Sequence, residues 1–303
     1  MTDQQFTAYL APEGFVHELI AELGEAVDDV YDRLVIAAGA PQPVLWADNV
    51  WLNPRFIKVE SIGDAAQKLK ALQRNWANYA FDLHRRSNLI TEKLPHVSAK
   101  PIKFPCPLPA APLGSWTLLE NDLLLVSPAC SSPYPNGAYI FEENKIDAPS
   151  RAYLKLWEIL TRLQKFPKAG ETCLDLGACP GGWTWVLQTL GARVISVDKA
   201  PLAPSIAALP NIEYRQQSAF GLKPEEIGRV DWLFSDIICY PERALRLIET
   251  WKKSGLVRNI VSTIKFQGKT EYDIINKLME IPNSSIYHLY NNKHEVTWVN
   301  LEG

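Results

Sequence analysis

The sequence predicts an α/β fold, with a mostly parallel sheet covered by helices on both faces in its C-terminal half and a smaller α+β domain before it. Strand-like and helix-like segments alternate from residue 149 onwards, which is typical of parallel strands joined by crossover helices. Only the short turn NNKH separates the last two strand-like segments, so they suit a hairpin and the last strand must run antiparallel. At 303 residues, the chain has room for two domains.

The first part of the chain predicts the smaller domain. A strand at residue 6 precedes a helix over 14–23, and extended segments follow near 31–37, 44–47 and 55–59. Helical patterns cover 63–72 and 76–89. Prolines then recur between residues 101 and 112, which favours extended chain, before two short apolar runs at 116–119 and 123–126. We therefore predict an α+β domain over residues 1–100 and a Pro-rich linker with short strands over 101–147.

The larger domain is predicted over residues 148–303. Helices are expected over 151–166, 183–190, 205–209, 242–254 and 270–281. Strands are expected over 172–176, 193–198, 212–215, 231–237, 259–266, 286–290 and 296–301. A parallel sheet with one reversed strand at its edge is the Rossmann-like architecture of class I methyltransferases.

The composition is that of an ordinary globular protein, with 47% hydrophobic and 21% charged residues. No stretch approaches the roughly 20 apolar residues of a membrane span, and the start MTDQQFTAYL lacks the regions of a signal peptide. We therefore expect a cytoplasmic protein with no membrane association. The five cysteines are scattered without a CxxC pair, so we interpret them as reduced thiols and expect no metal site.

Charge is distributed unevenly along the chain, although the net charge is only -3. Residues 1–50 contain nine acidic residues and one arginine, whereas residues 54–104 contain ten lysines or arginines and four acidic residues. Aromatic residues alternate with these cations, among them Phe56, Trp76, Tyr79 and Phe81. Such a mixture can follow a phosphate backbone and stack bases. An amphipathic helix with a solvated charged face explains it equally well.

The string LDLGACPGGW, residues 174–183, predicts a loop of small residues between a buried strand and a helix. Its glycines let the backbone approach a ligand, and the amides at the helix start can donate to a carboxylate such as that of methionine. Asp198 ends the next strand, where its carboxylate can accept from both ribose hydroxyls of a nucleoside. Cys179 stands where a dinucleotide-binding loop needs its second glycine, so a nucleoside cofactor other than NAD is indicated.

Four ionisable residues are predicted at one edge of the sheet. Asp236 ends the strand in FSDI and Lys265 lies near the end of the next strand, so both project at the carboxyl edge. Glu295 begins the reversed last strand at that same edge. Lys155 lies in the first turns of the helix over 151–166, whose far end leads into the first strand of the sheet. Each residue alone is more typical of a surface charge. Together they predict a catalytic cluster.

In these residues the chain resembles the FtsJ-like ribose 2′-O-methyltransferases. The resemblance covers about residues 128–303, with looser similarity at LAPEGF and in the basic segment. The matching strings are SSPYPNG, APSRAYLKL, DLGACPGGW, SVDKAPL, DWLFSDI, IKFQGK and KHEVTWV. The resemblance implies a catalytic tetrad of Lys155, Asp236, Lys265 and Glu295, in which Lys265 is the central residue. Whether Lys265 removes a proton or stays charged and orients the hydroxyl is open from the sequence.

The resemblance also implies S-adenosylmethionine as the cofactor. Ser218 departs from the family, which usually offers an aspartate to the adenine amino group at this position; a serine accepts a hydrogen bond without charge assistance. Whether this departure weakens cofactor binding is open from the sequence. The implied contacts are Ser150, Gly177, Cys179, Pro180, Gly181, Gly182, Trp183, Asp198, Ser218 and Asp236.

RNA is the partner that the resemblance implies, most specifically a cytidine ribose of large-subunit (23S) rRNA. Residues 1–100 would then recruit RNA, as a domain of ferredoxin-like and reduced THUMP-like character. Two other functions stay open. Methyl transfer to a small molecule or a protein would make the front domain a lid, but the tetrad argues against it. RNA binding without turnover is conceivable because of Ser218, but the presence of Lys265 and Asp236 argues against it.

Overall fold

The computed structural model describes residues 5–98 and 100–302, which divide into two compact units. The first unit contains the described residues up to 102 together with residues 107–140. The second contains residues 103–106 and the described residues from 141 onwards. We expected residues 107–140 in a linker. They belong instead to the first unit, because two strands within them pair with strands of that unit.

The first unit begins with an antiparallel sheet in the order β2-β3-β1-β4. This is the strand order of a ferredoxin-like fold, with irregular chain over residues 39–48 in place of a second helix. The extended segment expected at 44–47 is wrong, because the Glu22 carboxylate accepts hydrogen bonds from the N–H groups of Leu45 and Trp46 and takes them out of strand pairing. The elements are β1 (Phe6–Leu10), α1 (Val16–Leu23), β2 (Val27–Tyr31), β3 (Leu34–Ala38) and β4 (Asn49–Trp51).

A second sheet of this unit has the order β5-β8-β7-β6. The helix predicted over 76–89 is wrong for residues 76–83 and correct for residues 84–89. Residues Trp76–Asn78 form strand β6, which pairs in parallel with β7. Helix α3 begins only at His84. This long-range pairing overrides the local helical pattern. The elements are β5 (Arg55–Lys58), α2 (Ile62–Leu72), β6 (Trp76–Asn78), α3 (His84–Thr91), β7 (Gly114–Glu120) and β8 (Leu123–Ser127).

Most of the aromatic residues singled out in the basic segment are core residues. Trp76 and Tyr79 are buried in the two apolar clusters of this unit, and Phe81 packs against the second of them. Phe56 differs, since it lies on the edge strand β5, is 45% exposed, and stacks on Phe6 at 5.1 Å between ring centroids. Of these four rings, only Phe56 is exposed enough to stack on a base.

The second unit contains one seven-stranded sheet in the order β11-β10-β9-β12-β13-β15-β14. The pairs among β9 to β13 are parallel, and β15 runs antiparallel to both of its neighbours. This arrangement confirms the predicted class I methyltransferase fold. The strands are β9 (Thr172–Leu176), β10 (Arg193–Asp198), β11 (Ile212–Gln216), β12 (Val230–Ser235), β13 (Val257–Lys265), β14 (Ser284–Tyr287) and β15 (Glu295–Asn300).

The position of the reversed strand differs from the prediction. It was expected at the sheet edge, but β15 lies between β13 and β14. All six residues of β15 are buried, whereas those of β14 are only partly buried, so the strand with no solvent-facing side takes the interior position. This placement pairs Glu295 with Lys265 across neighbouring strands.

Helices connect these strands and bring the site residues to the sheet edge. Helix α8 starts with a proline and ends at Gly255 in the left-handed region at φ 66, which are favourable start and stop signals. Within the part of the chain that the structure describes, no helix has the length and apolar character to cross a membrane. The helices are α4 (Tyr153–Leu163), α5 (Gly182–Thr189), α6 (Pro204–Ala207), α7 (Pro224–Ile227), α8 (Pro241–Ser254) and α9 (Tyr272–Met279).

Candidate active site

Four charged side chains meet at the carboxyl edge of the seven-stranded sheet. Asp236 follows β12, Lys265 ends β13, Glu295 begins β15, and Lys155 comes from the first turn of α4. Lys155 Nζ lies 2.9 Å from Asp236 Oδ2 and 3.1 Å from Glu295 Oε1. Lys265 Nζ lies 2.9 Å from Asp236 Oδ1. The structure thus brings the four predicted catalytic residues into one ion-paired cluster.

Burial and charge compete at the centre of this cluster. Burial alone would raise the pKa of Asp236, but the ammonium groups of Lys155 and Lys265 outweigh it and lower that pKa. Burial would likewise lower the pKa of Lys155, but Asp236 and Glu295 outweigh it and raise that pKa above its ordinary value. Lys155 therefore stays protonated at neutral pH, and it holds the two carboxylates in place rather than accepting a proton.

Lys265 is oriented by two contacts with the same residue. Its Nζ lies 2.9 Å from the Asp236 carboxylate and also donates to the Asp236 backbone carbonyl at 3.0 Å. The lysine nitrogen has three directions beyond its bond to Cε, so these two contacts leave one direction for a substrate. The side chain of Lys265 is 18% exposed, more than that of Lys155 at 10%. Lys265 is therefore the more accessible of the two lysines.

A cavity of 360 Å³ adjoins the cluster, a size within the usual range of about 300–1,000 Å³ for ligand sites. Asp236 belongs both to the cluster and to the cavity wall, so a group bound in the cavity lies next to the residue that orients Lys265. The cavity is lined by Gly177, Cys179, Val197, Asp198, Lys199, Ser218, Ala219, Phe220, Asp236, Ile237, Ile238 and Arg243.

Two loop glycines are required by packing. Gly177 has φ +82, and an added Cβ would lie 2.7 Å from Ile237 Cγ1. Gly181 has φ +114, and an added Cβ would lie 2.7 Å from Ile206 Cγ2. Both positions combine a left-handed backbone with a collision, so only glycine fits without rearrangement. These glycines let the loop pack closely on its neighbours and bring its backbone to the cavity.

Asp198 connects the loop to its own strand end. Its Oδ2 accepts a hydrogen bond from the N–H of Cys179 at 2.9 Å, and its Oδ1 accepts one from the N–H of Ala200 at 3.0 Å. Each carboxylate oxygen has capacity for a second hydrogen bond. Because Asp198 also lines the cavity, it can accept from ribose hydroxyls while it fixes the loop.

Several of the expected cofactor residues lie outside the cavity lining. Trp183 is buried, and its indole N–H donates to the carbonyl of Ala152 at 2.9 Å, which is a packing role. Pro180 lies in the turn before α5, and Gly182 is the first residue of that helix. The Ser150 hydroxyl is buried, has no hydrogen-bond partner among the residues that the structure describes, and would lie 2.8 Å from a Cβ added to Gly182.

These residues fit S-adenosylmethionine. The amides at the start of α5 and the unsatisfied hydroxyl of Ser150 suit a carboxylate, Asp198 suits a ribose, and Ser218 can accept from an adenine amino group. In the described chain, no group of three or more His, Cys, Asp or Glu side chains could hold a metal ion.

The sequence prediction missed seven residues of the cavity wall. Most of them are next to predicted site residues in the sequence, and this proximity is the signal that could have indicated them. Arg243 is different: its guanidinium carbon lies 3.7 Å from the centre of the Phe220 ring, a long-range contact that no local pattern indicates. The missed residues are Val197, Lys199, Ala219, Phe220, Ile237, Ile238 and Arg243.

A buried carboxyl group lies behind the loop. Burial raises the pKa of Asp175 to about 7, with the nearby charges of Asp236 and Asp198 adding to the effect. The Thr184 hydroxyl donates to Asp175 Oδ2 at 2.6 Å and lies 2.9 Å from Ser196 Oγ. Asp175 therefore links β9 to α5 and β10 and supports the loop from behind.

Comparison with known proteins agrees with this geometry. A family model described as FtsJ-like methyltransferase matches residues 148–285. Ribosomal RNA large subunit methyltransferase M of Xanthomonas oryzae pv. oryzae (strain PXO99A) is 30% identical over 259 residues, which cover 79% of this chain and 70% of that protein. The chain belongs to the ribosomal RNA large subunit methyltransferase M family. It is an S-adenosylmethionine-dependent methyltransferase, as predicted from its resemblance to the FtsJ-like proteins.

Other relatives match over shorter spans. The protein of the same description from Halorhodospira halophila (strain DSM 244 / SL1) is 33% identical over 159 residues, so the match spans 50% of this chain and 46% of that relative. Fibrillarin of Aeropyrum pernix, solved with natively bound S-adenosyl-L-methionine, is 20% identical with a TM-score of 0.34, covering 47% of this chain and 72% of that chain. The fold assignment rests on strand order and not on this distant likeness.

We expect Asp198→Ala to weaken S-adenosylmethionine binding by about 1.5–3 kcal/mol, the usual worth of a hydrogen bond to a charged group. Part of this loss of affinity would come from the loop, because the Cys179 N–H also loses its hydrogen-bond acceptor. Asp198→Asn separates the two effects, because its amide oxygen can still accept from Cys179 while the charge is gone. Isothermal titration calorimetry checks both variants. If both variants bind S-adenosylmethionine with the affinity of the parent, Asp198 is not part of the cofactor site.

Proposed function

We propose that the protein transfers a methyl group from S-adenosylmethionine to a ribose 2′-hydroxyl of RNA, and that its target is a cytidine of large-subunit (23S) rRNA. The observation that carries this proposal is the cluster of Lys155, Asp236, Lys265 and Glu295 beside the cavity. The names of the relatives support rRNA as the substrate class, and the FtsJ-like resemblance supports the 2′-hydroxyl.

The cluster suits a hydroxyl nucleophile. The cofactor, when bound, supplies a methyl group that is already activated by its sulfonium. A ribose hydroxyl must lose its proton as it is methylated, and it must be held in line with the reacting carbon. We assign contact with that hydroxyl to Lys265, orientation of Lys265 to Asp236, and the fixed positive charge behind them to Lys155, which Glu295 holds from the other side.

We assign the cofactor contacts from the cavity wall and the loop before α5. Asp198 would hold the ribose, Ser218 would accept from the adenine amino group, and Ser150 with the α5 amides would hold the carboxylate. Cys179 is the loop residue whose N–H is tied to Asp198, and we assign it no nucleophilic role: burial raises the pKa of its thiol, with Asp198 adding to the effect, and both disfavour the thiolate.

We assign RNA recruitment to the first unit. Its edge strand β5 exposes Arg55, Phe56 and Lys58 and has one unpaired side. Because successive side chains alternate between the faces of a strand, Phe56 shares its face with Lys58. Such a strand can contact phosphates and stack one base. Recruitment of large-subunit rRNA also implies a cytoplasmic location for the protein.

Mapping of 2′-O-methyl sites in total rRNA, with and without the protein, tests the proposed function. We expect one ribose site of the large-subunit rRNA to lose its methyl group when the protein is absent. Re-expression of the parent should restore it, whereas re-expression of Lys265→Ala should not. If every ribose site is unchanged, the rRNA assignment is wrong.

A further inference from the structure

The loop between β12 and α8 exposes two large side chains beside the charged cluster. Ile238 is 82% exposed and Tyr240 is 62% exposed, although Ile237 before them lies against Gly177 in the cavity wall. Ile238 also lines the cavity, so the exposed surface begins at the cavity mouth. Two large side chains left in water beside a reactive cluster suit a surface that a ligand covers.

The end of this loop is held rigidly. The Tyr240 carbonyl accepts hydrogen bonds from the N–H groups of Arg243 at 2.9 Å and Ala244 at 3.2 Å, and Pro241 begins α8 directly after it. The tyrosine ring is therefore presented from the start of a 14-residue helix. Because the backbone is already ordered, only the rotamers of the ring remain to be ordered when another ring stacks on it.

Positive charge flanks the same surface. The Arg243 guanidinium is stacked on the Phe220 ring, 3.7 Å from its centre, which fixes the cation before any ligand arrives. Lys199 lines the cavity as well. An exposed aromatic ring near a fixed cation suits a nucleotide, because the base can stack on the ring and the phosphate can pair with the cation.

Distance along the chain limits which nucleotide can use this surface. Ile238 is two residues after Asp236, so their Cα atoms are at most about 7 Å apart. Asp236 in turn contacts Lys265. A base attached to the ribose that reacts at Lys265 is therefore within reach of Ile238, and Tyr240 lies two residues further along the same loop.

We propose that Ile238 and Tyr240 form the surface on which the base of the target nucleoside stacks, with Arg243 pairing with its phosphate. This proposal rests on the proposed function in RNA. It assigns to this loop the positioning of the nucleoside, while the charged cluster acts on the hydroxyl.

Steady-state methyl transfer into rRNA purified from cells that lack the protein tests the stacking. Loss of one base–aromatic stack costs about 1–3 kcal/mol, so Tyr240→Ala should raise the KM for RNA about tenfold. Tyr240→Phe keeps the ring and should retain a near-parental KM. Met279→Ala is the control, since Met279 is another exposed apolar residue but ends α9 at the opposite edge of the sheet. Calorimetry should give the parental affinity for S-adenosylmethionine in Tyr240→Ala.

The outcomes separate this proposal from the proposed function. If the parent methylates RNA and Tyr240→Ala has a parental KM and kcat, the stacking surface is wrong while the function stands. If Tyr240→Ala lowers the affinity for S-adenosylmethionine together with the affinity for RNA, the ring only supports the fold, and the stacking proposal also fails. If the parent transfers no methyl group to any RNA, the function itself fails.

Arg243→Gln tests the phosphate contact. At saturating cofactor, its RNA affinity should fall, and the slope of log K against log salt should become shallower by about one. A slope equal to that of the parent would remove Arg243 from the nucleotide site.

Discussion

Lys265→Ala is expected to slow methyl transfer by at least about 10²-fold, the usual contribution of a positioned proton-transfer group. Lys265 Nζ is held by the carboxylate and the carbonyl of Asp236, and its third direction is left for the substrate hydroxyl. Lys265 does not line the cofactor cavity. The affinity for S-adenosylmethionine should therefore stay close to that of the parent, so the loss should appear in the chemical step.

Two further variants make this test specific. Lys265→Arg should not restore the rate, because a guanidinium group cannot accept a proton near neutral pH and its planar fork needs a different space. Lys269 is the matched control: it lies four residues further along the chain and is exposed, so Lys269→Ala should retain a near-parental rate. Single-turnover transfer into RNA at saturating cofactor measures all three. Near-parental rates in Lys265→Ala would falsify the assignment of the tetrad, even if the cofactor site is correct.

The order of elements in the second unit is predictable because each strand carries its own apolar run between turn signals. Strands β9, β10 and β12 are almost fully buried, and such runs are visible without knowledge of their neighbours. The interior position of β15 depends instead on which strand it pairs with, and a local pattern contains no such information. The same holds for Trp76–Asn78, whose strand conformation exists only through its pairing with β7.

The charged cluster is predictable for a related reason. Residues at the carboxyl ends of parallel strands meet at one edge, so Asp236 and Lys265 could be placed together from strand ends alone. Register then brings Glu295 opposite Lys265. The contact of Arg243 with Phe220 and the exposure of Ile238 and Tyr240 follow from loop conformation, which has no periodicity. These features therefore become visible only in the folded chain.

Asp236→Asn is expected to lower both stability and activity. The cluster contains two lysines and two carboxylates, and the substitution leaves an uncompensated positive charge at a site where these side chains are only 10–18% exposed. Removal of one partner from a buried ion pair typically costs about 3–5 kcal/mol. We therefore expect the free energy of unfolding to fall by about 3 kcal/mol. Methyl transfer should fall by at least about 10²-fold, because Lys265 loses the carboxylate that orients it.

The pH dependence of this stability difference identifies Asp236 as its source. The lysines hold the pKa of Asp236 below its ordinary value of 3.8 in the folded protein, so the unfolded chain binds a proton first as the pH falls. The contribution of Asp236 is therefore complete above about pH 4 and is lost as the pH falls through the folded pKa. Urea unfolding of the parent and Asp236→Asn should show a large gap at neutral pH that narrows on acidification below pH 4. A gap that is constant with pH would show that the loss comes from packing and not from the charge.

Adding Lys155→Met to Asp236→Asn separates stability from catalysis. The double variant removes one positive and one negative group, so the cluster is again neutral, with Lys265 and Glu295 remaining. Apolar replacement of a buried charge is often neutral or stabilising once its partner is also gone. We therefore expect the double variant to regain part of the stability that Asp236→Asn loses, while methyl transfer stays low because Lys265 is still without its orienting carboxylate. Recovery of activity together with stability would instead mean that Asp236 acts only by keeping the cluster folded, and that Lys265 needs no carboxylate to reach the hydroxyl.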